Sequence, residues 1–432
     1  MTLFFRRTGY TALACLVLAQ SAAAEISARE VWDEWKAYFA DFGYDVTATE
    51  ADTGNGVRAS NVELLFEAED PVTQTRISFA EIVLSDNGDG TVSIDLPDTF
   101  PMSIRGEDAD GPFDLDLTIS HSDVRMLASG TPENQIYDYA ASSMSVVLDD
   151  ITVEGDALGS DAVSGQMVAT GMRALSTMTN GDPRLVEQNV SADQISYEFQ
   201  FTDPSSNDSG AVSGEVSGVT MQGSGNLPGN IDPSDPAAMI QAGMSGGGRF
   251  QYASGQGRVS ATSADGPFEM TTQSSGGTLA VSLGRDGVVY DLGQIGTVVS
   301  VVVPDFPIPL GGQMAESGFR LQMPISKSEE QQDFGLGLKL RGLQLDDIIW
   351  NMFDPGAVLP RDAADLDIDL AGKATLDQDL FDPALAEAVR PEDMAPGELN
   401  ALSIRSLLLS IAGATVTGTG DFTFDNTDTA TF

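Results

Sequence analysis

The chain has 432 residues, of which 65 are acidic and 21 are basic, so its net charge is −44, and it has one histidine and one cysteine. A surface this negative repels nucleic-acid phosphates and anionic lipid headgroups, which argues against DNA or RNA binding. One histidine and one cysteine cannot form a zinc site of the usual kind. The hydrophobic fraction of 41% is typical of a folded protein, and the 45 glycines favour turn-rich β structure.

The first 24 residues have the order of a secretory signal peptide. A short basic region precedes an apolar stretch over 10–19, and a run of alanines ends at Ala24. We therefore predict cleavage after Ala24, a mature chain that starts at Glu25, and a periplasmic or otherwise exported location. The apolar stretch is too short for a permanent membrane span, although an uncleaved N-terminal anchor is the alternative interpretation. Cleavage would remove Cys15, so the mature chain would have no disulfide.

One helix is predicted directly after the cleavage site. Ser27 and Glu30 form a Ser-x-x-Glu capping box, and Gly43 supplies a stop signal. Apolar residues recur between them at helical spacing: Val31, Trp32, Trp35, Tyr38, Phe39 and Phe42. The structural interpretation is an amphipathic helix packed onto a sheet, and the functional interpretation is a lid or plug over an apolar groove.

The chain then changes to an alternation of apolar and polar residues, which is typical of strands with one dry face and one wet face. The alternation is clearest in five stretches, namely 92–96, 113–119, 195–201, 319–323 and 366–370. The stretch 298–303, which is apolar except for Ser300, predicts a more buried strand. Turns rich in glycine and aspartate separate the strands. We predict a mainly β fold, an extended and curved antiparallel sheet with a few short helices.

Two shorter helices interrupt the β pattern. Asp235 is placed to cap a helix over 236–242, whose first residue is proline. A second apolar stretch, 345–353, ends before Pro355 and predicts another helix.

The composition also predicts a division of the mature chain. The stretch 203–248 is rich in Ser, Gly, Asn and Pro, and it predicts a loop-rich linker between a β-rich half at 25–202 and another at 249–432. A short repeat supports two similar halves, because Ala-Asp-Gly-Pro-Phe-Asp at 109–114 recurs as Ala-Asp-Gly-Pro-Phe-Glu at 264–269. A shared hairpin type explains this repeat equally well.

No set of residues stands out as catalytic, cofactor-binding or metal-binding. His121 lies between Ser120 and Ser122, with Asp123 next, but neighbours on one strand alternate faces and cannot converge as a catalytic triad. We expect His121 to be a surface histidine beside a turn.

The acidic clusters have a similarly simple interpretation. The loop 86–90 departs from the calcium-binding pattern at Gly88 and at Leu96, so we predict a type I′ hairpin turn there. Paired carboxylates are expected to be solvated surface groups; they lie at 149–150, 346–347 and 365–369.

The C-terminal third resembles a known family. The motifs that carry the resemblance are Leu-Pro-Arg-Asp-Ala at 359–363, Leu-x-Ile-x-Leu-x-Gly at 366–372 and Thr-Gly-Asp-Phe-Thr-Phe-Asp-Asn at 419–426. They resemble domain-of-unknown-function family 2125, a group of exported bacterial envelope proteins. This resemblance implies an envelope location but no activity and no site residues. Members of that family continue past this point, which implies that the chain is truncated at Phe432.

A looser likeness is to AsmA-type envelope proteins, in which a long curved sheet forms an open apolar trough that handles lipids. It rests on repeated short amphipathic strands that end in glycine-rich turns.

The predicted function is non-catalytic binding of a hydrophobic or lipid-like envelope component. If the sheet closes on itself, its apolar face is only a core, whereas an open sheet makes that face a groove with Trp32, Trp35 and Trp350 near its mouths. The alternative is a structural or interaction protein of the periplasm that pairs through its sheet edges. An enzyme is the third choice, and we predict no cofactor.

Overall fold

The structure is a computed structural model that describes residues 25–69, 72–108, 111–203, 205–206, 208–229, 235–382 and 397–426. Ala24 and the rest of the predicted signal peptide lie outside the described residues, and Glu25 is the first residue inside them. The described residues form one antiparallel sheet of 22 strands and three helices, which confirms the prediction of a mainly β fold with an extended sheet. None of the described helices has the length and apolar composition needed to cross a membrane.

The elements follow one another in this order: α1 Ala28–Asp41, β1 Tyr44–Thr53, β2 Gly56–Glu69, β3 Val72–Asp86, β4 Val92–Asp95, β5 Thr99–Asp108, β6 Gly111–Ser122, β7 Arg125–Thr131, β8 Asn134–Val153, β9 Asp156–Leu158, β10 Val163–Thr179, β11 Arg184–Thr202, β12 Ser209–Leu227, α2 Pro236–Ala242, β13 Ser245–Tyr252, β14 Ser254–Ser263, β15 Gly266–Ser274, β16 Gly277–Gly284, β17 Gly287–Val303, β18 Phe306–Met323, β19 Ser328–Leu345, α3 Asp347–Phe353, β20 Ala364–Leu376, β21 Gly397–Ile411 and β22 Ala414–Thr423.

The sheet contains the same strand connectivity twice. Two pairs of shorter strands, β4–β7 and β5–β6, lie between the long strands β3 and β8. In each pair, one strand pairs with β3 and the other with β8, and the two pairs follow one another along the length of the long strands. Between β12 and β17, the pairs β13–β16 and β14–β15 take the same places. The short sequence repeat falls at equivalent positions, because Gly111 begins β6 and Gly266 begins β15, while 109–110 lie outside the described residues. This correspondence favours two similar topological units within a continuous sheet.

The segment 203–248, predicted to be a loop-rich linker, is instead largely ordered secondary structure. It contains all of β12 and α2 and the start of β13. Strand β12 pairs with β11 over its whole length, from Ser209 opposite Thr202 to Leu227 opposite Arg184. The prediction of loops was wrong because strand formation depends on pairing with neighbours, and the serines and glycines of β12 are compatible with that pairing.

The stretch 298–303 forms the end of β17, but it is not the buried strand that was predicted. Val298 is 44% exposed, and the rest of the stretch is only partly buried. A mostly apolar sequence predicts burial when both faces of a strand are covered, and this part of the sheet lacks a second layer among the described residues.

The helices begin and end close to the predicted positions. In α1, the Ser27 side chain accepts a hydrogen bond from the Glu30 amide, the Glu30 carboxylate accepts one from the Ser27 amide at 2.8 Å, and Gly43 follows with φ 82°. Asp235 caps α2 by accepting a hydrogen bond from Ala238 N at 2.9 Å. Helix α3 starts two residues later than predicted, because Leu345 is the last residue of β19.

Five residues inside long strands adopt left-handed backbone conformations, with φ between 52° and 64°. Such a residue shifts the alternation of side chains by one position. Asn61 shows the effect in β2, because its neighbours Ala59 and Val62 both pack into the same core, although ideal alternation would place them on opposite faces. The remaining members of the set are Gly171, Gly218, Gly296 and Gly342. We call these residues the kink positions.

The main hydrophobic core lies between α1 and strands β2, β3, β4, β7 and β8. Val31 is fully buried and Trp32 is 2% exposed on the helix, and they pack against strand residues such as Leu84, Val57 and Ile94. Burying side chains of this size stabilises the fold by about 1.5–3 kcal/mol each. The core therefore fixes α1 at one end of the sheet.

Candidate functional site

A row of apolar residues crosses most of the sheet. Directly paired residues of neighbouring antiparallel strands lie on the same face. The strand pairings connect one such set from β7 to β21: Met126, Tyr139, Ala174, Val190, Met221, Phe250, Leu279, Leu292, Phe319, Leu338, Ile368 and Leu407. We call this set the apolar row. At about 4.8 Å between strands, the row is roughly 50 Å long.

The apolar row is open to solvent rather than covered. None of its side chains is buried, and Met221 and Leu292 are 47% and 39% exposed. The core under α1 is the contrast, because Trp32 there is only 2% exposed. An open apolar surface of this extent makes this face the candidate binding site.

Aromatic rings cover glycines on this same face. Each ring lies across a glycine that is its direct partner on the neighbouring strand, and a Cβ at that glycine would collide with the ring. A Cβ at Gly165, for instance, would lie 2.5 Å from Cδ1 of Phe199. The pairs are Gly106 with Phe113, Gly165 with Phe199, Gly214 with Tyr197, Gly277 with Tyr252, and Gly372 with Phe334. The glycines thus let the rings lie flat against the sheet.

The opposite face of the sheet is polar and carries cross-strand ion pairs. Arg320 contacts Asp291 at 3.3 Å, and these residues alternate with Phe319 and Leu292 of the apolar row. Further pairs on this face are Arg58 with Glu81, Arg125 with Asp138, Lys339 with Glu316, and Arg341 with Asp367. Exposed pairs of this kind contribute little to stability, about 0–1 kcal/mol each, but their charges keep this face solvated.

Helix α1 covers the end of the apolar face at β1 to β4. Its first amide, Ala28 N, donates a hydrogen bond to Asp86 Oδ1 at 2.7 Å. Lys36 contacts Glu50 of β1 at 2.8 Å, and Arg29 contacts both Glu50 and Asp52. The hydrogen bond from Lys36, with a further contribution from Arg29, lowers the pKa of Glu50 to about 2.

A second set of polar contacts fixes the other side of α1 to the turn between β10 and β11. Arg184 is 2.8 Å from Glu34 and 3.0 Å from Asp41, and Asn180 donates a hydrogen bond to Glu34 at 2.8 Å. Burial raises the pKa of Glu34, and Arg184 opposes that shift. Burial likewise raises the pKa of Tyr38, whose ring lies 5.8 Å from the Arg184 guanidinium carbon.

A cavity of about 310 Å³ lies between α1 and the sheet. Aromatic and aliphatic side chains form most of its wall, among them Trp35, Phe39, Leu64, Met126 and Met178. Met126 is also the first residue of the apolar row, so the cavity adjoins that row. We call this cavity the α1 pocket.

His121 is buried, which corrects the prediction of a surface histidine. It is 7% exposed, and its ring lies 6.1 Å from the ring of Phe100. It continues the alternation of β6 on the apolar side, so the side chains of Ser120 and Ser122 point to the other face. There they contact Thr99 and Ser143 at 3.1 Å and 2.8 Å. The structure does not bring these residues together as a catalytic triad.

The loop 86–90 is also different from its prediction. Asp86 pairs with Val92, so five residues separate the paired positions, which excludes a two-residue type I′ turn. Asp86 itself bonds to α1, and Asp89 accepts hydrogen bonds from Thr91. No motif in the sequence indicates that this loop holds a helix N-terminus.

Three carboxylates of the predicted clusters have structural partners. Asp365 accepts a hydrogen bond from Gly342 N at 2.8 Å, and Asp367 and Asp347 pair with Arg341 and Arg361. Within the described part of the chain, no group of His, Cys, Asp and Glu residues is arranged to hold a metal ion.

The tryptophans lie at separate places on the molecule. Trp32 and Trp35 line the α1 pocket, whereas Trp350 is buried in α3 with its ring 5.1 Å from that of Phe353.

Comparison with known proteins gives no match to a family model, a curated protein or a solved structure. The geometry of the apolar row and the α1 pocket is therefore the basis for any proposal about function.

Proposed function

We propose that this chain is an exported, non-catalytic protein that binds a hydrophobic or lipid-like component of the cell envelope. The observation that carries the proposal is the apolar row, a line of half-buried to exposed hydrophobic side chains roughly 50 Å long. The signal-like sequence of the first 24 residues supports export. The looser likeness to AsmA-type proteins implies the same kind of ligand.

The length and chemistry of the row favour a lipid over a small polar ligand. One acyl chain spans about 15 Å, half of the hydrocarbon thickness of a bilayer, so the row could hold several chains in line. Removing this apolar surface from water is favourable by about 25 cal/mol per Å². The rings of Phe199 and Phe334 lie over Gly165 and Gly372, so they extend the apolar surface of the sheet without projecting far from it.

The proposal is tested by native mass spectrometry of protein purified from its own envelope, combined with two aspartate variants of β17. Leu292→Asp places a charge on the apolar row, and Val289→Asp places the same charge on the opposite face of the same strand. We expect copurifying lipid in the wild type and in Val289→Asp, and at least about tenfold less in Leu292→Asp, because a bound chain would desolvate that carboxylate. Equal lipid in both variants, or none in the wild type, would contradict the proposal.

A second candidate function is pairing with another protein through a sheet edge. Among the described strands, β22 pairs with β21 alone, so its outer edge has free backbone groups, and Val416 and Phe422 are 57% and 49% exposed. In the same mass spectra, a lipid-free protein with a stable protein partner would favour this candidate.

A further inference from the structure

The α1 pocket is a partly open apolar cavity that the protein's own side chains leave unfilled. Protein interiors are close-packed, and voids larger than a water molecule are few. At about 310 Å³, the pocket is large beside a cavity of about 150 Å³, which is sufficient to bind benzene. A cavity with such a wall favours an apolar occupant over ordered water.

The pocket and the apolar row form one continuous surface. Met126 belongs to both, and Ser176 and Gln188 line the pocket two residues along their strands from Ala174 and Val190 of the row. A chain lying on the row could therefore enter the pocket past Met126, with Ser176 and Gln188 beside it.

The charges around the pocket decide which end of an amphiphile can enter. Lys36 is the one basic residue among the described residues of the wall, and it is 2.8 Å from Glu50 and 3.0 Å from Asp33. Glu34 and Asp41 likewise surround Arg184. Because Lys36 and Arg184 are both already paired, an anionic headgroup would meet several carboxylates and no free cation among these described residues, so entry of the uncharged end is favoured.

We propose that the α1 pocket binds the methyl end of an uncharged hydrocarbon chain, with the rest of the chain lying along the apolar row. This inference rests on the proposed function and specifies where its ligand ends. Helix α1 then acts as the closed end of an otherwise open site.

The test is binding of N-phenyl-1-naphthylamine, a neutral apolar fluorophore, with 1-decanol and decanoate as competitors. Trp32 and Trp35 in the pocket wall can transfer excitation energy to the bound fluorophore. Ser176→Phe fills the pocket from β10, and Val46→Phe fills it from β1. Ser317→Phe is the matched control, because Ser317 lies on the same face two residues from Phe319.

We expect saturable binding of one fluorophore to the wild type and to Ser317→Phe, displacement by 1-decanol, and weaker displacement by decanoate. Affinity should fall at least about tenfold in both pocket-filling variants. Thermal unfolding of each variant verifies that it is folded. Unchanged affinity in a folded pocket-filling variant would overturn the inference. The lipid content of Leu292→Asp tests the apolar row separately, so a failure of this inference can be distinguished from a failure of the proposed function.

Discussion

At the scale of single residues, glycine does two different things in this sheet. At the kink positions it supplies a left-handed backbone conformation, as Gly218 does with φ 63°. Beneath the aromatic rings it supplies empty space, as Gly165 does under Phe199. The second use explains why glycine is frequent inside strands, where it is normally unfavourable, since the ring covers the backbone that the missing side chain would expose.

Gly165→Ala tests the second use. The new methyl group would collide with the Phe199 ring, so we expect the free energy of unfolding to fall by about 1–2 kcal/mol. Gly223→Ala is the matched control, because a Cβ there meets only ordinary contacts, the nearest at 3.7 Å. Urea unfolding measures both variants. A further change of Phe199→Leu should recover part of the loss, and equal stability of the two alanine variants would contradict the packing argument.

At the scale of elements, α1 is held by polar contacts on both sides of its buried stripe. Asp86, Glu50 and Asp52 hold one side, and Asn180 and Arg184 hold the other. These contacts come from segments far apart in the sequence. The capping box and the aromatic stripe predicted the helix itself, whereas its partners depend on how the strands are arranged.

Acid should weaken the attachment of α1 to β1. The pKa of Glu50 is about 2 in the folded protein and ordinarily 4.5, so its contribution to stability is present above pH 4.5 and is lost as the pH falls towards 2. In Glu50→Gln we expect α1 to be less firmly held at neutral pH and its release to depend less on pH over this interval. The emission of Trp32 and Trp35 reports the release.

Glu316→Gln is the control for that experiment, because Glu316 pairs with Lys339 on the polar face, away from α1. Its pH profile should match that of the wild type. If Glu50→Gln also follows the wild-type profile between pH 4.5 and 2, Glu50 does not contribute to holding the helix.

At the scale of the whole molecule, the fold was more predictable than the site. Alternation in short stretches such as 113–119 predicted amphipathic strands and a mainly β sheet, since that signal is local. The apolar row depends on register between strands, which local patterns do not specify. The α1 pocket and the burial of His121 likewise arise from residues distant in sequence. The prediction of loops at 203–248 was wrong for the same reason, because the pairing of β12 with its neighbours is not visible in local sequence patterns.

The kink positions explain how strands of this length keep one apolar face. In β12, Val216 pairs with Ile195 and Val219 pairs with Ala192, on opposite sides of Gly218. These two valines are three positions apart, so strict alternation would place them on opposite faces. A left-handed residue between them restores the same face. Comparable residues in β2, β10, β17 and β19 do this across the sheet.

Replacing Gly218 by valine should therefore disturb both stability and the apolar face. A β-branched residue is strained at φ 63°, and its Cβ would lie 2.9 Å from Cβ of Ala253. We expect a loss of about 2–3 kcal/mol in the free energy of unfolding, measured in urea, and weaker binding of a neutral apolar fluorophore. Asn61→Gly at the equivalent place in β2 should remain within about 0.5 kcal/mol of the wild type, because glycine accepts the same backbone conformation. If Gly218→Val were as stable as Asn61→Gly, the left-handed conformation would not be what keeps Val216 and Val219 on one face.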